Sequence, residues 1–249
     1  MCLIVVGWHA HSDYPLVVAA NRDEFYARPT AAAGRWPEAP QIIGGIDLEA
    51  GGTWLGIAES GRFAAVTNVR EPGMAKGRLS RGALTRDFLL SENCASDAIN
   101  AIDGSAYSGF NLLLGDGETL HYRSNRDGEP RALPPGIYGL SNHRLDSPWP
   151  KLLKARQRFA HALKNLPDES EFFAILADDE IVADHELPNT GVSLEWERLL
   201  SAVFVRSESY GTRASTLLWR NTQGEVSLHE RSFGPNGRPL QSSLISTAV

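Results

Sequence analysis

Cysteine is scarce in this chain, and an excess of positive charge is missing. Only Cys2 and Cys94 occur among 249 residues, too few for a disulfide framework, so we expect a reducing, cytoplasmic environment. Lysine and arginine number 24 against 30 aspartates and glutamates. This acidic balance argues against binding to nucleic acid or to an anionic membrane surface.

Long apolar runs are also missing. The apolar segment 3–7 is too short for the core of a signal peptide and has no basic segment before it, and no later stretch approaches the roughly 18 apolar residues of a membrane helix. We therefore expect no stable membrane insertion. Hydrophobic residues still make up 42% of the chain, enough for a substantial core. Since no repeat or long linker divides the sequence, we expect a single domain over residues 1–249.

Apolar runs separated by turn residues predict antiparallel hairpins. The paired segments are 3–7 with 16–20, 53–58 with 63–67, and 214–220 with 225–230, and further strands are expected at 111–114, 119–123, 136–140 and 203–205. Helical spacing is found within 80–103, from Ser147-Pro148 onward, and over 169–177. Blocks of hairpins that alternate with helices predict an α+β fold, with antiparallel sheets covered by helices.

Cys2 is the first candidate for chemistry. Once Met1 is removed, this residue would carry both a thiol and a free α-amine, and the amine could accept the proton of its own side chain. N-terminal-nucleophile enzymes work in this way. The alternative is structural, because cysteine is among the most buried residue types and suits a short strand.

A polar cluster, Asn21-Arg22-Asp23-Glu24, follows the second apolar strand directly. If segments 3–7 and 16–20 form a hairpin, the end of the second strand lies beside the start of the first, so Asn21 and Asp23 should lie near Cys2. Asp23 could then bind and orient the α-amine. The alternative is a charged loop that makes weak surface ion pairs.

Several segments together carry a resemblance to a known family. They are Met1-Cys2, the stretch 19–29 with its Asn-Arg-Asp-Glu motif, and the segments 51–57, 65–68, 109–112, 138–142, 148–151 and 210–213. This pattern resembles the NRDE-motif family, also called the transport and Golgi organisation protein 2 family. The resemblance spans nearly the whole chain and implies an N-terminal-nucleophile hydrolase-like fold, a four-layer αββα sandwich of two antiparallel sheets.

More distantly, the same landmarks are similar to the bile salt hydrolase and penicillin acylase group. That resemblance implies a site of Cys2, Asn21 and Asp23, with Asn68 and Asn142 contributing to an oxyanion hole and Arg213 completing it. Amide N–H groups can stabilise a tetrahedral oxyanion, and a guanidinium favours a thiolate.

One position departs from the hydrolase pattern. The hydrolase group has an arginine directly before the asparagine, where this chain has Ala20. Arg22 follows the asparagine instead and, in an extended strand, points away from the face of Asn21 and Asp23. We therefore expect that Arg22 does not replace the missing guanidinium.

Two functions follow as expectations. The family resemblance implies intracellular haem binding and trafficking in the old substrate cleft, with His9 and His11 in a loop expected near Cys2, and His143, as possible haem contacts. The alternative is a Cys2-dependent hydrolase of linear amide C–N bonds that needs no cofactor. Either reading implies an apolar small-molecule partner, haem or an acyl or amide compound. The histidines lack the helical spacing of zinc ligands, so no catalytic metal is expected.

Overall fold

β-Branched and aliphatic residues dominate the first predicted hairpin, and they form two adjacent strands of one sheet. The computed structural model describes residues 2–247. Its strands are β1 (Cys2–Trp8), β2 (Leu16–Phe25), β3 (Thr30–Trp36), β4 (Ala39–Asp47), β5 (Leu55–Ala58), β6 (Phe63–Asn68), β7 (Phe110–Gly115), β8 (Leu120–Ser124), β9 (Asp127–Ala132), β10 (Gly136–Leu140), β11 (Tyr210–Arg220), β12 (Val226–Gly234) and β13 (Arg238–Thr247). Its α-helices are α1 (Arg81–Leu90), α2 (Ala95–Asn100), α3 (Pro150–Ala162), α4 (Ser170–Leu176) and α5 (Leu194–Leu199).

The strands form two antiparallel sheets that pack face to face. The first is six-stranded, in the order β10-β1-β2-β11-β12-β13, and the second is seven-stranded, from β3 to β9 in chain order. One apolar core, which includes Ile4, Val18 and Ile57, lies between the sheets. A second core joins the first sheet to α3 and α4, and a third joins the second sheet to α1 and α2. The expected αββα architecture is confirmed.

The layered arrangement explains the composition of β2. Residues 16–20 are all buried, because one face of this strand meets the second sheet and the other face meets the helices. A strand buried on both faces reads as a continuous apolar run rather than as an alternating one. No helix within residues 2–247 combines the length and apolar character needed to cross a membrane.

The elements differ from the sequence expectations in a few places. The helix expected at Ser147-Pro148 begins at Pro150, because the Ser147 hydroxyl donates to the Arg144 carbonyl within a turn. Segment 203–205 is not a strand: its amides bond to the Asp178 carbonyl and the Thr212 hydroxyl. Four strands, β3, β4, β9 and β13, were not predicted, since small or polar residues fill much of them.

Candidate active site

The pairing of β1 with β2 decides which side chains meet at Cys2. Cys2 lies opposite Arg22, and Leu3 lies opposite Asn21. Paired residues of antiparallel strands project to the same face of the sheet, and successive residues project to opposite faces. Cys2 and Arg22 therefore share the face turned toward the second sheet, whereas Asn21 shares the face turned toward the helices.

A cleft of about 320 Å³ opens at this end of the hairpin. Its wall contains the partly buried Cys2, residues from both sheets and the segment that leads into α1. The chemically active or large side chains among its lining residues are Cys2, Arg22, Asp23, Glu24, Arg28, Asp47, Glu49, Trp54, Asn68, Lys76, Arg78 and Arg81. We call it the Cys2 cleft. It is lined by more charged than apolar side chains.

The surroundings of Cys2 act on its thiol in opposite directions. Burial raises the pKa of Cys2, and the carboxylate of Asp23 raises it further. The charge of Arg22 and the backbone N–H of Asp23 lower this pKa, but they do not outweigh burial. The thiol therefore needs a base to become the nucleophilic thiolate.

Arg22 supplies a fixed cation beside Cys2. Its side chain is only 6% exposed, and its guanidinium lies 4.4 Å from the centre of the Trp54 ring. It also donates to the Thr30 hydroxyl at 3.3 Å and approaches an Asp47 oxygen at 4.0 Å. Because residues 20 and 22 share a face, this guanidinium enters the inter-sheet space that an arginine at position 20 would occupy. Arg22 does lie on the opposite face from Asn21, as expected, but that is the face toward which Cys2 also projects.

Arg81, at the start of α1, is a second cation of the Cys2 cleft. It donates to the Gly109 carbonyl at 3.1 Å. Among residues 2–247 no carboxylate lies within ion-pair distance of its guanidinium. Burial lowers the pKa of Arg81, and its charge interacts with Cys2. Arg81 is half-buried and forms no ion pair with a described carboxylate, although the charges of Glu24 and Glu71 act on it. Its guanidinium is therefore available to an anion in the cleft.

Asp23 is held below Cys2 by a buried network. Its carboxylate accepts a hydrogen bond of 2.7 Å from the Thr212 hydroxyl. Burial raises the pKa of Asp23, and the nearby Lys151 lowers it. Lys151 donates to the carbonyls of Leu200 and Ala202 at 2.8 and 3.3 Å, and burial lowers its pKa to about 8.

Comparison with known proteins places this chain in a family. The model of the family described as "Transport and Golgi organisation 2" matches residues 1–235. The chain belongs to this family. The Bos taurus "Transport and Golgi organization protein 2 homolog" is 37% identical over 261 residues, which covers 94% of this chain and 93% of the relative.

Solved structures show that this family member shares the fold of N-terminal-nucleophile hydrolases. A Caenorhabditis elegans N-acylethanolamine-hydrolyzing acid amidase ortholog matches with a TM-score of 0.51 at 13% identity, covering 87% of this chain and 92% of the other. The C2A mutant of the conjugated bile acid hydrolase from Clostridium perfringens matches with a TM-score of 0.54 at 10% identity, covering 99% and 92%. At these identities the likeness concerns the fold alone.

Asn21, which the motif predicted to be catalytic, is engaged elsewhere. Its amide donates to the carbonyls of Leu176 and Val203 at 2.8 and 2.9 Å, and its oxygen accepts from the Ser215 hydroxyl at 2.7 Å. The Asn21 side chain therefore links β2 to the last residue of α4 and to the segment that follows α5. It lies on the face opposite to the Cys2 thiol. Asn21 is not among the residues that line the Cys2 cleft, and its catalytic role stays a prediction.

The two other predicted asparagines have different places. Asn68 ends β6 and lines the Cys2 cleft, and its side-chain amide has no hydrogen-bond partner within residues 2–247. Asn142 is buried, and its amide donates to the Asn68 backbone carbonyl at 2.9 Å. Asn142 thus positions Asn68, which leaves Asn68 as the open amide donor beside Cys2.

Arg213 and the candidate haem histidines are not among the residues that line the Cys2 cleft. Arg213 donates to the carbonyls of Phe25 and Arg28 and lines a neighbouring cavity with Arg22 and Trp54. His9 and His11 follow β1 and therefore lie at the opposite end of that strand from Cys2, which corrects the expectation that their loop is near it. His143 bonds to Ser147 at 2.8 Å and stacks on Trp149.

Sequence reasoning did not single out Arg81 or Lys151, and it did not place Arg22 on the same face as Cys2. The hairpin register that pairs residues 2 and 22 was a usable signal for Arg22, because it assigns both side chains to one face. Arg81 precedes an apolar helical stripe, which gives no indication of contact with a distant strand. Lys151 likewise begins a helix, where a lysine is normally solvated.

Proposed function

We propose that the Cys2 cleft is the active site of an N-terminal cysteine hydrolase that cleaves linear amide C–N bonds. The observation that carries the proposal is that Cys2 lines one cleft with the guanidinium groups of Arg22 and Arg81, whose charges interact with its thiol, and with the amide of Asn68. These are a nucleophile, two stabilising cations and an oxyanion donor.

The proposed reaction begins after removal of Met1. The α-amine of Cys2 takes the thiol proton, and the thiolate attacks the amide carbonyl carbon. Asn68 donates to the oxyanion that forms, and the cations lower the energy of the negatively charged intermediate. The C–N bond breaks as the leaving amine receives the proton from the α-ammonium group. Water then hydrolyses the thioester by the reverse proton path and releases the acid.

The raised pKa of Cys2 supports a role for the α-amine. A thiol that was already ionised would need no base, whereas burial and Asp23 keep this thiol protonated near neutral pH. Arg22 and Arg81 would favour the thiolate once the proton has moved a short distance to the amine.

A panel of N-acyl amides tests the proposal. Cys2→Ala should reduce hydrolysis to the uncatalysed rate, because the nucleophile is gone, while Cys94→Ala should retain it, since this exposed thiol lies outside the Cys2 cleft. The measurement is product release followed by mass spectrometry. Equal rates for Cys2→Ala and the unsubstituted protein would exclude the mechanism.

A second variant separates the thiol from the amine. Insertion of one glycine between Met1 and Cys2 keeps the thiol but moves the free α-amine to another residue. We expect loss of turnover with Cys2 still reactive toward iodoacetamide, and N-terminal mass spectrometry should find Met1 removed from the active protein. Turnover by protein that retains Met1 would contradict the role of the amine.

Haem as a cargo is a second proposal for the same cleft. A cysteine thiolate is an axial ligand for haem iron, and arginines such as Arg22 and Arg81 match carboxylate groups. Because His9, His11 and His143 are not among the cleft-lining residues, Cys2 is the ligand to test. Haem titration followed by its absorption band should saturate at one equivalent and weaken in Cys2→Ala. Binding no greater than that of an unrelated protein would refute this proposal.

A further inference from the structure

A hydrogen-bonded chain of serine, histidine and glutamate lies far from Cys2, on the helix-covered face of the first sheet. Nε2 of His229 lies 2.9 Å from the Ser242 hydroxyl, and Nδ1 of the same ring lies 2.7 Å from a Glu169 carboxylate oxygen. These distances join a hydroxyl to a base and the base to an orienting carboxylate. Nothing in the chemistry of the Cys2 cleft uses them.

The strands and α4 fix this chain of residues. In the pairing of β12 with β13, Ser242 lies opposite Arg231 and Leu244 lies opposite His229, so Ser242 and His229 share one face at a diagonal. Glu169 immediately precedes α4 and also accepts from the Trp219 indole at 3.4 Å. The Trp219 indole therefore holds one oxygen of the Glu169 carboxylate, and His229 contacts the other. The centre of the His229 ring lies 4.7 Å from the centre of the Phe173 ring, in an edge-on arrangement.

The tautomer that these contacts favour is the one that a general base requires. When the Nδ1 proton points to the Glu169 carboxylate, Nε2 presents its lone pair to the Ser242 hydroxyl. Glu169 and His229 are 24% and 18% exposed, so water screens their interaction only in part. Ser242 itself is exposed and can be reached by a substrate.

Ser242 opens into a cleft with an apolar floor. This second cleft has a volume of about 650 Å³, and its wall includes Ser242, Phe173, Phe204, Phe233, Leu240 and Arg231. The Arg231 guanidinium lies 3.8 Å from the centre of the Phe173 ring, and within residues 2–247 it has no carboxylate at ion-pair distance. Arg231 is paired with Ser242 across β12 and β13 and lines the same cleft, so its cation can stabilise a negatively charged oxygen that forms there.

We propose that Ser242, His229 and Glu169 form a second catalytic site, an esterase site for carboxylic esters with an apolar acyl group. Ser242 Oγ attacks the ester carbonyl as its proton passes to Nε2 of His229, and Glu169 stabilises the imidazolium. The C–O bond to the alcohol breaks, and the alcohol leaves with the proton from His229. Water, deprotonated by His229, then attacks the acyl-serine and releases the acid, which restores the hydroxyl.

The test uses the full chain carrying Cys2→Ala, so that the Cys2 cleft contributes nothing. With p-nitrophenyl butyrate as the probe, Ser242→Ala and His229→Gln should each lower the rate of ester hydrolysis by about 100-fold. Ser246→Ala is the matched control, because Ser246 is exposed on the same strand and face, on the other diagonal from His229, and within residues 2–247 it makes no hydrogen bond with the His229 ring. It should retain the rate.

Covalent labelling distinguishes catalysis from a structural link between α4 and the strands. A fluorophosphonate should modify Ser242 in the Cys2→Ala protein, and peptide mass spectrometry should find the label absent from His229→Gln. A melting curve shows whether that variant is folded, and Glu169→Gln provides a second disruption of the base. Hydrolysis and labelling that persist in Ser242→Ala, or that never exceed the level of this variant, would overturn the proposal. Neither result bears on amide hydrolysis by the unsubstituted protein.

Discussion

The two faces of β2 contain similar polar groups but use them for different purposes. On the face toward the helices, the Asn21 side chain forms three buried hydrogen bonds: its amide donates two, and its oxygen accepts one. On the face toward the second sheet, Arg22 lies beside the Cys2 thiol in an open cleft. The comparison teaches that adjacent residues of one motif can enter different environments, a buried hydrogen-bond network and an open cleft, because a strand directs neighbouring side chains to opposite faces.

Loss of the Asn21 amide should produce the largest effect on stability. Asn21→Ala leaves the carbonyls of Leu176 and Val203 and the hydroxyl of Ser215 without their partner, so we expect the free energy of unfolding to fall by about 3 kcal/mol or more. Urea unfolding measures this change. The matched control is Asn68→Ala, which removes an amide that has no partner within the described part of the chain and should change stability by less than about 0.5 kcal/mol. A similar loss in both variants would remove the distinction between the faces.

The fold was more predictable from the sequence than the site. The first hairpin was predicted because residues 3–7 and 16–20 are apolar and β-branched, and a layered α+β arrangement followed from the order of such blocks. The edge strand β13 was missed because most of its residues are polar and exposed. Its pairing depends on β12 rather than on its own composition.

The candidate site was predicted only in part, since it depends on contacts between distant segments. Cys2, Asp23 and Asn68 were singled out from the sequence and do line one cleft. Asn21 was assigned by motif position, but its partners come from segments more than 150 residues away, and no local pattern announces them. Arg81 reaches the cleft from α1 for the same reason.

Removal of the Asn68 amide tests the other face of β2, because it should change activity rather than stability. If Asn68 is the oxyanion donor, Asn68→Ala should lower kcat for amide hydrolysis by about 100-fold, the effect of one such donor, with KM nearly unchanged. Steady-state kinetics with the N-acyl amide identified by the panel gives both constants. Asn142→Ala should lower kcat less, because Asn142 acts on Asn68 through the backbone carbonyl. A rise in KM with kcat unchanged would assign Asn68 to ground-state binding instead.

The last expected effect concerns Lys151, whose charge acts on Asp23, and it appears only as a change of stability with pH. Burial lowers its pKa from 10.5 to about 8 in the folded protein, so the unfolded chain binds more protons between these values. The free energy of unfolding therefore rises with pH in this window, by at most about 1.4 kcal/mol per pH unit for one lysine. Below pH 8 both states are protonated, and this contribution no longer changes with pH.

Urea unfolding from pH 7 to 10.5 compares Lys151→Met with the unsubstituted protein, and their difference isolates this contribution from other titrating groups. The rise between pH 8 and 10.5 should be smaller in the variant. Lys154→Met, on the same helix, provides the control, because the hydrogen bond to Asp178 raises the pKa of Lys154 above 10.5, so this lysine is protonated in both states over most of the range and its replacement should leave the slope nearly unchanged there. Stability from that contact is lost as the pH rises through its folded pKa. If the free energy of unfolding of Lys151→Met rises with pH as steeply as that of the unsubstituted protein, Lys151 is solvated. The helix-facing side of β2 would then be more open to water than the buried hydrogen bonds of Asn21 indicate.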